Sequence, residues 1–395
     1  MSGHSHVILD DPLLINGCIV VGPGVSLNAL GVLDLNYKDG TWSLGNYKNV
    51  MLNESVPEDS ATTALIKTDE DKIQSDYLAY YEIPTALNES MAYSNQTTED
   101  LAYLDENFGN NLIGQTVADS YSYALQQAGV DDVDVCLTPT GSIRSAIFEG
   151  DVTTGDIFNV LSLYQSKGDG RAGSPLVTAS VSGHDIYDLC EVSRSISKMM
   201  TGVQLAFSGL EFTYDSDRLF MNQVTSVRIC DKTTGAWIDV SRNDDTLYKL
   251  STTQDVASML GMVSDQSFGM LNVTLRDESG ETLDPSNLTA RVVHYQTASG
   301  QMRELKEWIA LYQYASSHDV GASGLPELYS GDTQPEERFS NVNQGFFAAH
   351  FTNLNKFAYV VYAAVVVLVA AVVGLVFLVR HLVRKHRRVS VGRVV

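Results

Sequence analysis

The uncharged run FAYVVYAAVVVLVAAVVGLVFLV, from Phe357 to Val379, does more than any other feature to limit what this chain can be. About 20 apolar residues in a helix cross the hydrocarbon core of a bilayer. A helix of that length on a soluble core keeps a polar face, and this run has none. Residues 357–379 are therefore expected to be a transmembrane helix.

Charge gives the span a direction. Arg380, Arg384, Lys385, Arg387, Arg388 and Arg393 follow it with no acidic residue, and such clusters stay on the cytoplasmic side. The expected topology is single-pass in the cell membrane, with the amino-terminal domains extracellular and residues 380–395 a basic cytoplasmic tail. Without those six cations, residues 1–356 carry 20 Lys and Arg against 48 Asp and Glu. A surface of that sign repels phosphodiester backbones, which excludes nucleic acid as a partner, and a small anionic ligand would need a local cation.

An exported chain needs a signal segment, yet Met1 is followed at once by the polar stretch SGHSH, so the expectation is an amino-terminally truncated chain. Cys18, Cys136, Cys190 and Cys230 lie far apart with no CxxC spacing, which argues against a zinc knuckle and leaves disulfide pairing open. Five Asn-x-Ser/Thr triplets, at Asn53, Asn88, Asn95, Asn272 and Asn287, are either glycan acceptors or chance products of polar loops.

Along the chain, residues 14–36 read as strand, glycine turn (Gly22-Pro23-Gly24) and strand, placed at a sheet edge. Residues 51–106 read as an acidic linker with helical stretches. Ile113, Val117, Tyr121 and Leu125 recur at four-residue steps and stop at Gly129, the pattern of an amphipathic helix over 111–128 with a glycine C-cap. VDDVDVCLTPTGSIRSAI reads as a strand entering a small-residue turn, and a helix starts after Gly183, with Gly183 and Asp185 capping it and His184 not a ligand. Further strands run to about residue 295, followed by an amphipathic helix over 302–318. Residues 321–356, rich in Gly, Ser, Asn and Pro, read as a stalk. Strands mixed with helices and hairpins make the fold class α+β (mixed α/β).

Four blocks in order, GQTVADS (114–120), PTGSIRSAI (139–147), EGDVTTGDIFNVLSL (149–163) and FSGLEFTYDSDR (207–218), resemble the C-terminal domain of the 5'-nucleotidase family. That family also holds UDP-sugar hydrolases and cyclic-nucleotide phosphodiesterases. The resemblance covers roughly residues 107–320 and implies a substrate-binding domain there. In the family, a metallophosphoesterase domain ends in a Gly-His-x-His or Gly-His-x-Gln turn, followed by two strands closing on a GxLDL-like sequence. SGHSHVIL followed by CIVVGPGVSLNALGVLDLN resembles this, which implies that residues 1–50 are the last piece of such a domain.

By that resemblance His4 and His6 are metal ligands, and the cofactor is a pair of divalent ions such as zinc or manganese. Two ions about 3.5–4 Å apart activate water and clamp an in-line attack on phosphorus. The remaining metal motifs do not occur in residues 7–395, so the chain by itself is expected to lack phosphatase activity. The resemblance also makes Arg144 the residue that contacts substrate phosphate, and a guanidinium fork suits that anion. A salt bridge to a neighbour such as Glu149 is the plainer reading.

Departures from the family pattern are specific. Pro139 stands where the family has asparagine, and no second arginine precedes Arg144. The family's first base-stacking phenylalanine follows Leu-Pro; here the sequence is Leu161-Ser162-Leu163-Tyr164, so Tyr164 is either a shifted stacking ring or ordinary surface or core. The Gly-Gly-Asp-Gly loop before the second stacking ring is replaced near Ala257–Met262 by residues without aspartate or aromatic. The expected function is a membrane-anchored nucleotidase-like hydrolase acting on a nucleotide or another phosphoester. The alternative is a non-catalytic surface binding or scaffold protein on the same domain.

Overall fold

The structure, a computed structural model, describes residues 7–25, 27–53, 55–243, 245–260, 269 and 271–391, with side chains to residue 384. The chain forms two units that part after Ile73.

In the first unit, strands Leu13–Ile15 and Cys18–Val20 pair antiparallel across Asn16-Gly17, both at positive φ (50° and 81°). Ala29–Lys38 pairs with Thr41–Met51 across Asp39-Gly40, again both positive (48° and 81°). Asn-Gly and Asp-Gly suit two-residue turns whose twist matches the strands. The tight turn thus falls at Asn16-Gly17 rather than at Gly22-Pro23-Gly24. The second hairpin also recruits residues 41–51, whose one lysine and two asparagines hide the strand in the sequence. Both hairpins leave apolar side chains exposed, among them Leu14, Ile15, Leu30, Leu35 and Trp42. The helix Ser60–Lys72 starts on Asp59, whose carboxylate accepts from Thr62 N, and buries no residue.

The second unit is layered around a mixed sheet ordered Leu176–Ser182, Leu247–Thr253, Val135–Pro139, Leu205–Ser208. Its two central strands run parallel, and each outer strand is antiparallel to its neighbour. Side chains alternate across a strand. Cys136 joins a core with Tyr121, Ile157 and Trp308, while Val135 and Leu137 join a second core with Leu189, Phe207 and Phe212. The second core is closed by another sheet, ordered Trp237–Val240, Val224–Cys230, Leu210–Tyr214, Phe339–Asn341.

The helix Leu112–Gln127 matches the periodicity read from the sequence. Asn111 caps it through Gly114 N at 2.9 Å, and Gly129, at φ +77°, ends it. The helix Gly183–Arg194 starts in a capping box formed by Ser182 and Asp185.

Elsewhere the fold departs from the sequence reading. Much of the expected acidic linker belongs to the second unit. Leu78 and Tyr81 enter the Trp308 core, and strand Ser90–Ser94 lies between Glu327–Tyr329 and Gly150–Thr153. A wide π-helical stretch, Ile73–Leu78, shifts the helix register there, which blurs any single period. The expected helix over 302–318 divides: Met302–Glu304 pairs with His294–Gln296, and only Glu307–Ser316 is helical. The expected stalk is instead folded onto the domain, with strands Glu327–Tyr329 and Phe339–Asn341 held by the buried Leu328, Tyr329 and Phe339. Three apolar anchors outweigh a polar average composition.

The chain closes in the helix Lys356–Val391. Its stretch Lys356–Arg384 is long and apolar enough to cross a membrane.

Candidate functional site

The two parallel strands of the mixed sheet, Val135–Pro139 and Leu247–Thr253, end side by side. In open α/β sheets ligands sit in the crevice beyond the carboxyl ends of such strands. One strand runs into the turn 140–144. The other runs into the helix Gln254–Leu260, whose first turn carries Asp255.

The turn is fixed by its backbone. Thr140 N donates to Gln204 O at 2.8 Å, Gly141 N to Gly202 O at 2.9 Å, and Arg144 N to Val160 O at 2.8 Å. Gly141 is required, since a Cβ there would lie 2.8 Å from Gly202 O. Ile143 is buried and pins the turn from below, while Arg144 is half-buried. Its guanidinium makes one long hydrogen bond, Nη1 to Gly141 O at 3.4 Å, and has no ion-pair partner among the described residues. Glu149 is exposed, with its backbone N tied to Thr97 Oγ1 at 3.0 Å.

Tyr164 is half-buried, and its carbonyl accepts from Gly173 N at 2.6 Å. Burial raises its phenol first, the charges of Asp255 and Glu307 raise it further, and Arg144 opposes them. The structure therefore brings Arg144 and Tyr164 into one neighbourhood and adds two carboxyl groups to it.

Glu307 begins the buried helix Glu307–Ser316. Its Oε1 accepts from Ser174 N at 3.3 Å, while Oε2 is buried without a partner. Burial, reinforced by the nearby Asp255 charge, pushes its carboxyl up to about 8, so it is protonated at neutral pH. Asp255 takes the Ser174 hydroxyl at 2.5 Å. The hydroxyls of Tyr121, Thr138 and Thr140 are also buried and unpartnered, and Tyr121 faces both Glu307 and Thr138. Buried polar atoms rarely stay unpaired, so these groups are potential donors and acceptors in the core near Tyr164.

The loop carrying Tyr164 is clamped. Lys306, fully buried, pairs with Asp169 at 2.9 Å and Glu304 at 2.5 Å, and Tyr81 Oη donates to Asp169 at 2.5 Å. Burial pushes Asp169 up, but the hydrogen bonds from Tyr81 and Lys306 outweigh it and hold the carboxyl below its ordinary value.

His4 and His6 lie outside the described residues, as do Gly261 and Met262 of the segment aligned with the stacking loop. Among the described residues no group of three or more His, Cys, Asp or Glu could hold a metal ion. The described donors therefore do not fit a dinuclear centre. His184 is exposed and lies 3.7 Å from Asp188. Sequence reasoning missed Asp255, Glu307, Ser174 and Tyr121. Asp255 alone left a signal, an acidic residue where a β-branched strand turns into a helix.

A cation and a ring thus stand near the carboxyl edge of the two parallel strands of a mixed α/β module. Residues 90–257 match the family model described as 5'-nucleotidase, C-terminal domain. Residues 90–257 thus form a domain of the 5'-nucleotidase C-terminal type.

The fold recurs in a solved structure, the 5'-nucleotidase precursor from Thermus thermophilus, which is 16% identical with a TM-score of 0.56, over 87% of this chain and 59% of that one. The NAD nucleotidase NadN from Haemophilus influenzae is 16% identical with a TM-score of 0.45, over 85% and 58%. The sulfate thiohydrolase SoxB from Thermus thermophilus is 15% identical with a TM-score of 0.49, over 87% and 50%. The chain thus covers 50 to 59% of the length of these proteins. Comparison with curated protein sequences gives no match.

Proposed function

We propose that this chain is the substrate-binding and membrane-anchoring part of a 5'-nucleotidase-like phosphoesterase, taking a nucleoside monophosphate or related phosphoester. The observation that carries the reading is Arg144, a half-buried guanidinium without an ion-pair partner among the described residues, beside Tyr164 in a domain of this family. Arg144 pairs the phosphate, and Tyr164 supplies a face for the base or sugar.

The family is divalent-metal dependent, and His4 and His6 are the proposed ligands for zinc or manganese. The rest of the donor set belongs to a catalytic domain seated on the exposed apolar faces of the two hairpins in residues 13–51. Exposed patches of that kind mark interaction sites. The helix Lys356–Arg384 is the proposed span, with the domains outside the cell membrane and the basic tail inside. Hydrolysis belongs to the assembled protein, and the chain alone binds without turning over.

Calorimetric titration of the detergent-solubilised chain with AMP, UMP and inorganic phosphate tests this. Arg144→Ala is expected to weaken phosphate-containing ligands by about tenfold or more, the loss of one charge-assisted pair. Adenosine should be much less affected. If neither nucleotides nor phosphate bind the parent protein, the substrate-domain reading falls. The scaffold reading draws on the described residues' lack of a metal donor cluster. It would gain if phosphate-free ligands bound equally well.

A further inference from the structure

Residues 342–355 join the last strand of the second sheet to the long apolar helix, and the joint is tightly built. Arg218, 4% exposed, sits at its centre. Its Nε donates to Asn222 O at 2.7 Å, Nη1 to Gln344 Oε1 at 3.2 Å and Ala348 O at 3.4 Å, and Nη2 to Thr352 O at 3.0 Å and Asn353 O at 2.8 Å. Asn355 continues the joint: its backbone N donates to the buried Asn222 Oδ1 at 2.8 Å, its side chain reaches Met221 O, and its Oδ1 caps the long helix through Ala358 N at 3.0 Å. Phe357, in the first turn of that helix, packs on Met221, Val192 and Leu271.

This joint presents rings outward. Phe346, Phe347 and Phe351, in the short helix Phe346–Phe351, are 74%, 72% and 57% exposed. Phe351 stacks against Tyr362 with ring centroids 6.3 Å apart, so the patch continues onto the side of the long helix.

We propose that this aromatic helix is a membrane-seating surface, lying in the headgroup–acyl boundary of the same bilayer that the long helix crosses. The proposal rests on the reading of Lys356–Arg384 as a span. Lipid is the occupant because the patch has no break from the span's own surface. A ring-bearing apolar face next to a span partitions into the interface, about 5–10 Å into the headgroup–acyl boundary. The domain is then held at a set height rather than swung on a tether.

Chain length limits that height for the Arg144 turn. Ile196 packs in the same cluster as Phe357, and Gly202, six residues on, accepts from Gly141 N. Six residues reach at most about 20 Å. The Arg144 turn therefore opens close to the bilayer, where phosphoesters at or near the membrane surface meet it.

The test uses the full chain in phosphatidylcholine–phosphatidylglycerol vesicles, with Phe347→Trp read as the difference in emission from the parent. The chain should float with the vesicles. The added emission should be quenched strongly by lipid brominated just below the carbonyls, and weakly by lipid brominated at the chain ends. Flotation without quenching would overturn the seating and leave the span standing; failure to float would remove both. In Arg218→Gln, with unchanged far-ultraviolet dichroism, amide exchange over 346–355 is expected to accelerate about tenfold or more as the joint opens locally. Unchanged exchange would overturn the role given to Arg218.

Discussion

Trp308→Ala is expected to lower the unfolding free energy by about 3–5 kcal/mol, a large share of the roughly 5–15 kcal/mol that keeps a domain folded. Trp308 is fully buried, and three rings surround it. Tyr77 stacks at 5.8 Å, while Phe158 and Tyr81 meet it edge-on at 5.7 and 6.3 Å. Its Nε1 donates to Tyr77 Oη at 2.8 Å, and that hydroxyl donates to Ala172 O at 2.7 Å. Truncation would leave a cavity and remove one of the two hydrogen bonds at the Tyr77 hydroxyl.

The effect should reach the site. Gly173 is pressed so close that a Cβ there would lie 2.9 Å from Trp308 Cδ1, and Gly173 N holds the Tyr164 carbonyl. Urea unfolding followed by dichroism should show the lower midpoint. Nucleotide titration at low urea should show weaker binding than the parent. A midpoint indistinguishable from the parent would mean that the Trp308 core does not carry the second unit.

What could be read in the sequence was local. The helix Leu112–Gln127 announces itself because its burial is one-sided and Gly129 stops it, and the SGHD capping box is visible as four letters. Arg144 stands out as the first arginine of the chain, set at a small-residue turn after a strand, although the sequence equally offers Glu149 as a partner for it. Long-range facts left no such trace. Glu307 and Lys306 are charged residues at the start of a helix, which reads as a solvated end, yet Lys306 is neutralised by Asp169 and Glu304, and Glu307 sits against Ser174 and Tyr121. Only the tertiary fold supplies those partners. The supposed stalk fails for a related reason: a strand of three residues needs one or two buried side chains to dock, too few to lift a window's average above that of a linker. The clamp around Arg218 is likewise made mostly of backbone carbonyls, which no side-chain pattern encodes.

The buried Glu307 carboxyl makes the second large effect one of pH. In the unfolded chain a glutamate ionises near roughly pH 4.3, whereas burial and the Asp255 charge push Glu307 up to about 8 in the folded chain. Between those values the folded state holds a proton that the unfolded state has lost. Stability is therefore fully present below the lower value and falls by about 1.4 kcal/mol for each pH unit as pH rises toward 8. Above that the folded carboxyl ionises too, and the loss levels off. Asp188, pushed up to about 6 by burial, adds to the same slope only in its lower part, so the stretch between pH 6 and 8 belongs mainly to Glu307. Glu307→Gln keeps an acceptor for Ser174 N and places an amide toward the unpartnered Tyr121 hydroxyl, so it should fold. Urea midpoints across this range should fall steeply in the parent and stay nearly flat in the variant, with the variant the more stable of the two at pH 8. If Glu307→Gln keeps the parent's slope, the proton is held elsewhere. A neutral Glu307 would then be lost as the hydrogen-bond donor that the core near Tyr164 presents at neutral pH.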